Sequence, residues 1–140
     1  MFVQARRLHF TAIEARGHVL PEDVGVPVPQ LPALLAAVAD IAATHDLEIP
    51  MVAHAGDGNT HPAIIYPRGD ADAERRARLA FDDIMAAAIA LGGTITGEHG
   101  VGRLKAGSLE AQLGPDVMAL NHRIKAALDP QGILNPGSFV

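Results

Sequence analysis

The sequence predicts an α+β fold of the ferredoxin-like type, with the order β-α-β-β-α-β, an antiparallel sheet and both helices on one face. Short β-branched segments alternate along the chain with longer segments whose apolar residues recur at helical spacing. The chain has 140 residues, of which 49% are hydrophobic and 19% are charged, and this composition suffices for one buried core. We therefore predict a single domain, in which two C-terminal helices and an extended tail follow the sheet.

The first half of the predicted sheet starts with a strand over Glu22–Pro27, where valines alternate and prolines flank the segment. A helix opens at Pro32, and its apolar stripe comprises Leu31, Leu34, Leu35, Val38 and Ile41. Glu48–Ala55 and His61–Tyr66 have the composition of the second and third strands. The sequence GDGN at positions 56–59 predicts a tight turn between these two strands.

The second half begins with a helix from about Asp72, which ends at Gly92-Gly93 and carries an apolar face of Phe81, Ile84, Met85, Ala88 and Ile89. The β-branched segment Thr94–Thr96 predicts a fourth strand that runs into the sequence GEHGVG. Two further helices are predicted over Leu104–Leu113 and Pro115–Leu128. The tail DPQGILNPGSFV is rich in glycine and proline and is expected to lie extended on the surface.

Charge and cysteine content exclude several classes of function. Eleven Lys and Arg stand against sixteen Asp and Glu, a net charge of −5, so we expect no nucleic-acid partner. The chain has no cysteine, which excludes disulfides and thiolate metal sites. Any metal ligand in this chain must therefore be His, Asp or Glu.

No targeting or membrane-spanning segment is predicted. Arg6, Arg7 and Glu14 interrupt the apolar stretch that a secretion signal requires. No apolar run approaches the ~18 residues of a membrane span. We therefore expect a cytoplasmic protein without a transmembrane segment.

The segment AHAGDGNTHP, residues 53–62, is the first candidate for chemistry. His54 and His61 are seven residues apart and would point to opposite faces of one straight strand. Their imidazoles converge only if the intervening GDGN folds back as a tight connection, for which Asp-Gly and Gly-Asn steps are suited. The alternative is a hairpin with two solvated loop histidines. Asp57 is expected to shape the turn.

The segment TGEHGVG, residues 96–102, is the second candidate. Glu98 and His99 are adjacent, so in an extended backbone their side chains leave on opposite sides, which suggests a division of labour. Together His54, His61 and Glu98 make a two-histidine, one-carboxylate set that suits zinc, manganese or ferrous iron, with His99 beside it as a candidate catalytic base. The alternative is a glycine-rich connection with an exposed Glu-His pair.

Three motifs, HAGDGNTHP, GTITGEHGVG and LDPQGILNPG, resemble the C-terminal half of the FAD-linked oxidases similar to glycolate oxidase large subunit, D-lactate dehydrogenase and D-2-hydroxyglutarate dehydrogenase. The resemblance implies that His54, His61 and Glu98 hold a divalent metal and that His99 is the catalytic base. It also implies that Arg6 and Asn59 bind the substrate carboxylate, with Arg7 as an alternative to Arg6. Residues expected near the flavin are Asn135 and Pro136.

The resemblance implies FAD-dependent oxidation of a D-2-hydroxy acid, such as glycolate or D-lactate, to the 2-oxo acid. In that family FAD is bound chiefly by a larger N-terminal domain, which these 140 residues do not contain, so a flavin-binding domain or chain is the expected partner. The alternative is a non-catalytic fragment or split-enzyme partner that docks on such a chain. Its apolar face around LNPG and GVG would then be exposed and favour a homo-oligomer. A metal-dependent hydrolase is the third hypothesis.

The remaining histidines and basic residues are expected to be structural or solvated. No companion ligand at useful spacing accompanies the four histidines His9, His18, His45 and His122. Lys105 follows the GEHGVG segment and is expected to be a surface lysine, with a contact to a phosphate as the alternative.

Overall fold

The computed structural model describes residues 2–138, and describes side chains from residue 8 onward. Within these residues the fold is α+β, as predicted, with a four-stranded antiparallel sheet and five α-helices. In chain order the elements are α1 Phe2–Glu14, β1 His18–Pro21, β2 Val24–Gly25, α2 Leu31–His45, β3 Met51–His54, β4 Asn59–Tyr66, α3 Ala71–Ala90, α4 Ala106–Leu113 and α5 Pro115–Leu128.

Strand β4 is the strand with which each of the others pairs. β1 and β2 follow one register along it, from His18 opposite Tyr66 to Gly25 opposite Asn59. β3 pairs with the same end of β4 as β2 does, with Val52 opposite His61, so the two lie on opposite edges of β4. The end of β4 that starts at Asn59 is therefore enclosed by strands on both sides.

Helices α2 and α3 cover one face of this sheet, as the apolar stripes predict. Their buried side chains pack on Val24 and Ile64, and the cluster includes Leu34, Val38, Ala77, Phe81, Ile84 and Met85. Helix α3 begins at the predicted place because Asp70 caps it, its carboxylate accepting a hydrogen bond from the Ala73 amide at 3.0 Å.

Helix α1, which was not predicted, packs on the opposite face. Ile13 contacts Ala63 and Ile65, which alternate with Ile64 along β4 and point away from α2 and α3. His61 has the same parity as Ala63 and Ile65. The face that carries His61 is therefore the one that α1 partly covers.

Two predicted strands differ from those observed. The strand predicted over Glu22–Pro27 starts earlier, at His18, and is interrupted at Glu22 and Asp23, whose side chains enter a buried polar cluster. The predicted fourth strand is reduced to a bridge between Thr94 and Gly25. It stops there because the Ile95 amide donates to the Gln112 side chain, and the amides of Gly97 and Glu98 donate to the Asp23 carboxylate instead of a neighbouring strand.

None of the helices in the described part of the chain combines the length and apolar character needed to cross a membrane.

Candidate active site

The β3–β4 hairpin brings His54 and His61 to the same face of the sheet. His54 pairs with Asn59, and His61 lies two residues further along β4, so both side chains point the same way. The imidazole centroids are 5.2 Å apart and the rings are perpendicular. The turn between the strands therefore folds back tightly, as the predicted convergence of the two imidazoles requires.

This turn depends on Gly58, which has a φ of +88°. A Cβ atom at that position would lie 2.0 Å from the carbonyl oxygen of Val26, so a larger residue is excluded by sterics as well as by conformation. The Gly58 and Asp57 amides both donate to the His54 carbonyl at 3.1 Å. The Asp57 carboxylate accepts a hydrogen bond from the Asn59 amide at 3.0 Å, which is the turn-shaping role expected of it.

Three imidazoles converge on one oxygen of Glu98. The Glu98 Oε1 atom lies 3.2 Å from His61 Nε2, 3.5 Å from His54 Nε2 and 3.6 Å from His99 Nε2. His54, His61 and Glu98 each offer one ligand atom within 4.8 Å of the other two. The side chain of His61 is 19% exposed, whereas those of His54 and Glu98 are about half exposed, at 43% and 53%. The cluster thus lies at the surface end of the sheet, open to a ligand on one side.

His99 lies on the same side of the backbone as Glu98, contrary to the prediction from an extended chain. Its ring stacks on that of His61 at a centroid distance of 5.1 Å and an interplanar angle of 16°. The prediction was wrong because residues 97–99 form a bend rather than a strand. The bend presents both neighbouring side chains to one point.

The bend is formed around the buried carboxylate of Asp23, which is 1% exposed. Its Oδ2 atom accepts hydrogen bonds from the backbone amides of Gly97, Glu98 and His99 at 2.8, 3.0 and 2.9 Å, and from the Thr96 hydroxyl at 3.1 Å. Burial alone would raise the pKa of Asp23, but these four donors outweigh it and lower the pKa to about 2. Asp23 is therefore ionised at neutral pH.

The other oxygen of Asp23 faces His61. Asp23 Oδ1 lies 3.6 Å from His61 Nδ1, and both atoms are buried without a hydrogen-bond partner among the described residues. The same two residues and His99 form a second group whose ligand atoms lie within 4.8 Å of one another. His61 thus stands between two carboxylates, with Glu98 on its Nε2 side and Asp23 on its Nδ1 side.

Lys105 is buried beneath this cluster, so the prediction of a surface lysine was wrong. Its ammonium group pairs with the Glu22 carboxylate and donates to the carbonyl oxygens of Asp23 and Ile95 at 2.6 and 2.7 Å. Burial raises the pKa of Glu22, and the contact with Lys105 offsets part of that rise. The Lys105 side chain is drawn inward because it supplies the charge and donors that the buried Glu22 needs.

A cavity of about 740 Å³ lies over the histidine cluster, between the sheet and α1. Part of its lining is formed by the polar side chains of His54, His61, Glu98 and His99. The rest of its wall is mainly apolar and includes Phe10, Ile13, Pro21, Val52 and Ala63. The cavity can therefore hold a small molecule whose polar end meets the imidazoles and whose carbon chain lies against α1.

Asn59, predicted to bind substrate, lines a different cavity of about 560 Å³. Its amide packs against Gly97, where an added Cβ atom would lie 2.1 Å from Asn59 Oδ1. That oxygen is buried and accepts no hydrogen bond from the described residues. Glu98 lines both cavities, so it borders Asn59 as well as the histidines.

The other predicted site residues lie at the edges of the described region. Arg6 and Arg7 belong to α1, but their side chains lie outside the described residues. Asn135 and Pro136 are in the C-terminal tail, where Asn135 has a φ of +48°. The Pro136 carbonyl accepts a hydrogen bond from the guanidinium of Arg103 at 2.8 Å, which ties the tail to the segment after His99.

The histidines expected to have no ligand role lie elsewhere, with one exception. His9 lines the cavity from α1. His45 Nε2 lies 2.6 Å from Asp83 Oδ2, a pair that links α2 to α3, and His18 stacks on Tyr66. His122 is exposed on α5.

Sequence reasoning missed Asp23 and Glu22 as parts of the site. The one available signal was an adjacent acidic pair at the start of a short valine-rich segment predicted to be a strand. Charged residues are rarely buried unless they are paired, so such a pair indicates a polar partner inside the fold.

Comparisons with known proteins agree with the motifs. The family described as FAD linked oxidases, C-terminal domain, matches residues 1–139. The glycolate oxidase subunit GlcD of Bacillus subtilis (strain 168) is 42% identical over 137 residues, which cover 97% of this chain and 29% of that protein. GlcD of Escherichia coli (strain K12) is 36% identical over 146 residues, covering 98% of this chain and 29% of that protein.

A more distant relative comes from a vertebrate. The probable mitochondrial D-lactate dehydrogenase of Danio rerio is 34% identical over 118 residues, which cover 84% of this chain and 24% of that protein. The chain thus spans less than a third of the length of each of these relatives. The resemblance carried by the three motifs is confirmed by these matches.

Proposed function

As the chain belongs to the family of FAD linked oxidase C-terminal domains, we propose that it forms the metal and substrate site of an enzyme that oxidises a D-2-hydroxy acid to the 2-oxo acid with FAD. The relatives named above are a glycolate oxidase subunit and a D-lactate dehydrogenase, and glycolate, D-lactate or a similar acid is the proposed substrate. The observation that carries the proposal is the convergence of three imidazoles on Glu98 Oε1.

His54, His61 and Glu98 are the residues we propose as metal ligands. Two imidazole nitrogens and one carboxylate oxygen within 4.8 Å of one another fit a borderline divalent ion such as zinc, manganese or ferrous iron. An ion held there would supply Lewis-acid polarisation of the substrate hydroxyl. The partial exposure of the cluster leaves the open side that a substrate needs.

His99 is the residue we propose as the catalytic base. Its Nε2 atom faces the point at which His54 and His61 converge, and its ring is held by stacking on His61. In that oxidation His99 Nε2 would accept the proton of the substrate hydroxyl. A bound flavin would supply the hydride-accepting redox chemistry. The chain therefore contributes orientation, charge and a proton acceptor.

The cavity wall supports the same assignment. Phe10, Ile13 and Val52 offer an apolar surface that accommodates the carbon end of a small acid. Arg6 lies four residues before Phe10 in α1, and we propose it, with Arg7 as the alternative, to neutralise the substrate carboxylate. Asn59, which lines a cavity that Glu98 also borders, is proposed to help bind the substrate carboxylate.

Asn135 and Pro136 are proposed to lie near the flavin when the flavin-binding domain or chain is present. The hydrogen bond from Arg103 to Pro136 supports this, because it holds the tail beside the segment that carries His99. Exposed apolar residues nearby, including Leu104, Ile133 and Leu134, would be covered by that partner.

The second candidate function is a non-catalytic domain that docks on a flavin-bearing chain. The observation that favours it is an exposed apolar surface on α5 and the tail, formed by Val117, Leu120, Ile124, Leu128, Ile133 and Leu134. Such a surface is typical of a protein interface. The two candidates differ in whether the His99 side chain is needed for turnover.

The test uses the complete flavoprotein, in which this chain is combined with its flavin-binding domain or chain. We expect glycolate or D-lactate, added without oxygen, to bleach the flavin absorbance, and elemental analysis to find a divalent metal. Flavin that stays oxidised with every 2-hydroxy acid would contradict the proposal. Equal bleaching in the absence of this chain would support the docking function instead.

A further inference from the structure

We propose that Asp23 is a positioning residue that sets both the ligand nitrogen of His61 and the placement of Glu98 and His99. The inference rests on the proposed function, because it takes His61 and Glu98 as metal ligands and His99 as the base. Asp23 is not among the proposed metal ligands, and it acts through two sets of contacts, one for each carboxylate oxygen.

The first set holds the bend at residues 97–99. This segment is exposed, so little burial fixes it, yet three consecutive amides donate to the single atom Asp23 Oδ2. Three consecutive amides that converge on one oxygen force the backbone to curve around it. The curve is what turns the Glu98 and His99 side chains to the same side, where an extended chain would separate them.

The second set orients His61. A buried Nδ1 and a buried carboxylate oxygen 3.6 Å apart are without other partners in the described part of the chain, so each is the natural complement of the other. A proton on Nδ1, directed at Asp23 Oδ1, leaves the Nε2 lone pair free on the side of Glu98. Carboxylates that receive the distal N–H of a ligating histidine fix its tautomer and raise its basicity.

Asp23 is itself held in place by the buried pair below it. Lys105 donates to the Asp23 carbonyl at 2.6 Å, and Glu22 Oε1 accepts from the Asp23 amide at 2.8 Å. The backbone on both sides of the Asp23 side chain is therefore anchored. The carboxylate has one position, from which it reaches the bend with one oxygen and His61 with the other.

Asp23→Asn tests both roles because it keeps the size of the side chain and removes one acceptor. The amide oxygen must serve the donors of the bend, which directs the NH₂ group at His61 Nδ1. The NH₂ group and a proton on Nδ1 would then be two donors that face each other, so His61 favours the tautomer with the proton on Nε2. A protonated Nε2 cannot ligate a metal. We expect the affinity for cobalt(II), followed by its visible absorption, to fall about 10- to 100-fold, as for other outer-shell partners of ligating histidines.

The matched control is Asp129→Asn. Asp129 is also a buried carboxylate that accepts two backbone amides, those of Ile133 and Leu134, but it lies away from the histidines. We expect this variant to bind cobalt(II) like the native protein. A loss of affinity in both variants would reflect general destabilisation and would overturn the specific role of Asp23.

Two measurements on the native protein decide the matter even if Asp23→Asn does not fold. Nitrogen-15 NMR of the zinc-loaded protein should show His61 ligated through Nε2, with its proton on Nδ1. Hydrogen exchange without metal should show protected amides at residues 97–99. Ligation through Nδ1, or rapid exchange of those amides, would overturn the inference. If the native protein binds no metal, the proposed metal site fails, and the hydrogen exchange still decides the role of Asp23 in the bend.

Discussion

Glu98 Oε1 lies 3.2 Å from His61 Nε2, although one residue is on the central strand of the sheet and the other is in an exposed bend. The contact exists only when the bend is folded against the end of β4. A metal that required both groups would therefore bind the folded protein far better than the unfolded chain, and its binding would stabilise the fold.

The role of His99 is tested by His99→Ala in the complete flavoprotein. We expect turnover of the hydroxy acid to fall about 10²- to 10⁴-fold, the usual contribution of a general base. The metal content should stay unchanged, because His99 is not among the proposed ligands. His122→Ala, on the exposed side of α5, serves as the control and should leave both quantities as they are. Turnover that persists in His99→Ala would refute the assignment of the base.

The pKa of Asp23 predicts how stability depends on pH. Its value is about 2 in the folded protein against an ordinary 3.8, so ionised Asp23 favours the folded state above pH 3.8. This contribution, about 2 kcal/mol at neutral pH, is lost as the pH falls toward 2. Denaturant unfolding of metal-free protein between pH 5 and pH 2 should therefore be less steeply pH-dependent in Asp23→Asn than in the native protein. If the free energy of unfolding depended on pH equally in both proteins, the folded state would not stabilise the Asp23 carboxylate in this way.

The buried pair of Glu22 and Lys105 predicts a large effect from removing one partner. Lys105→Met leaves the Glu22 carboxylate buried and uncompensated, and we expect a loss of about 3–5 kcal/mol in the free energy of unfolding at pH 7. The double variant Lys105→Met/Glu22→Gln should recover part of that loss. Lys125→Met, which breaks a more exposed pair with Asp129, should cost much less. Equal losses in the two lysine variants would contradict the account of a buried pair.

In the absence of a flavin-bearing partner, the exposed apolar surface on α5 predicts self-association. Leu120→Glu combined with Ile124→Glu places two charges on it, and we expect sedimentation velocity to show a smaller average mass than for the native protein. Leu35→Glu, at a comparably exposed leucine on α2, is the control and should not change the mass. Native protein that is monomeric at all concentrations would contradict this prediction.

Much of the fold could be predicted because its signals are local. The apolar stripes of α2 and α3 identify them and the face that they bury. The turn between His54 and His61 follows from its Asp-Gly and Gly-Asn steps, so the approach of those two imidazoles could be anticipated from ten residues.

The support beneath the site could not be predicted, because its contacts connect distant parts of the chain. Lys105 meets the Asp23 carbonyl across 82 positions, and Asp23 meets Gly97 across 74. Judged from the local sequence alone, Lys105 is typical of a surface residue, and Thr94–Thr96 is typical of a strand. The bend at Glu98 and His99 exists because a distant carboxylate competes for their amides, which no local propensity expresses.

The most direct test of the proposed metal site is anomalous diffraction from crystals of the protein soaked in zinc or manganese. We predict one anomalous peak about 2.0–2.2 Å from His54 Nε2, His61 Nε2 and an oxygen of Glu98. A peak bound by other residues, or no peak between these three side chains, would contradict the account.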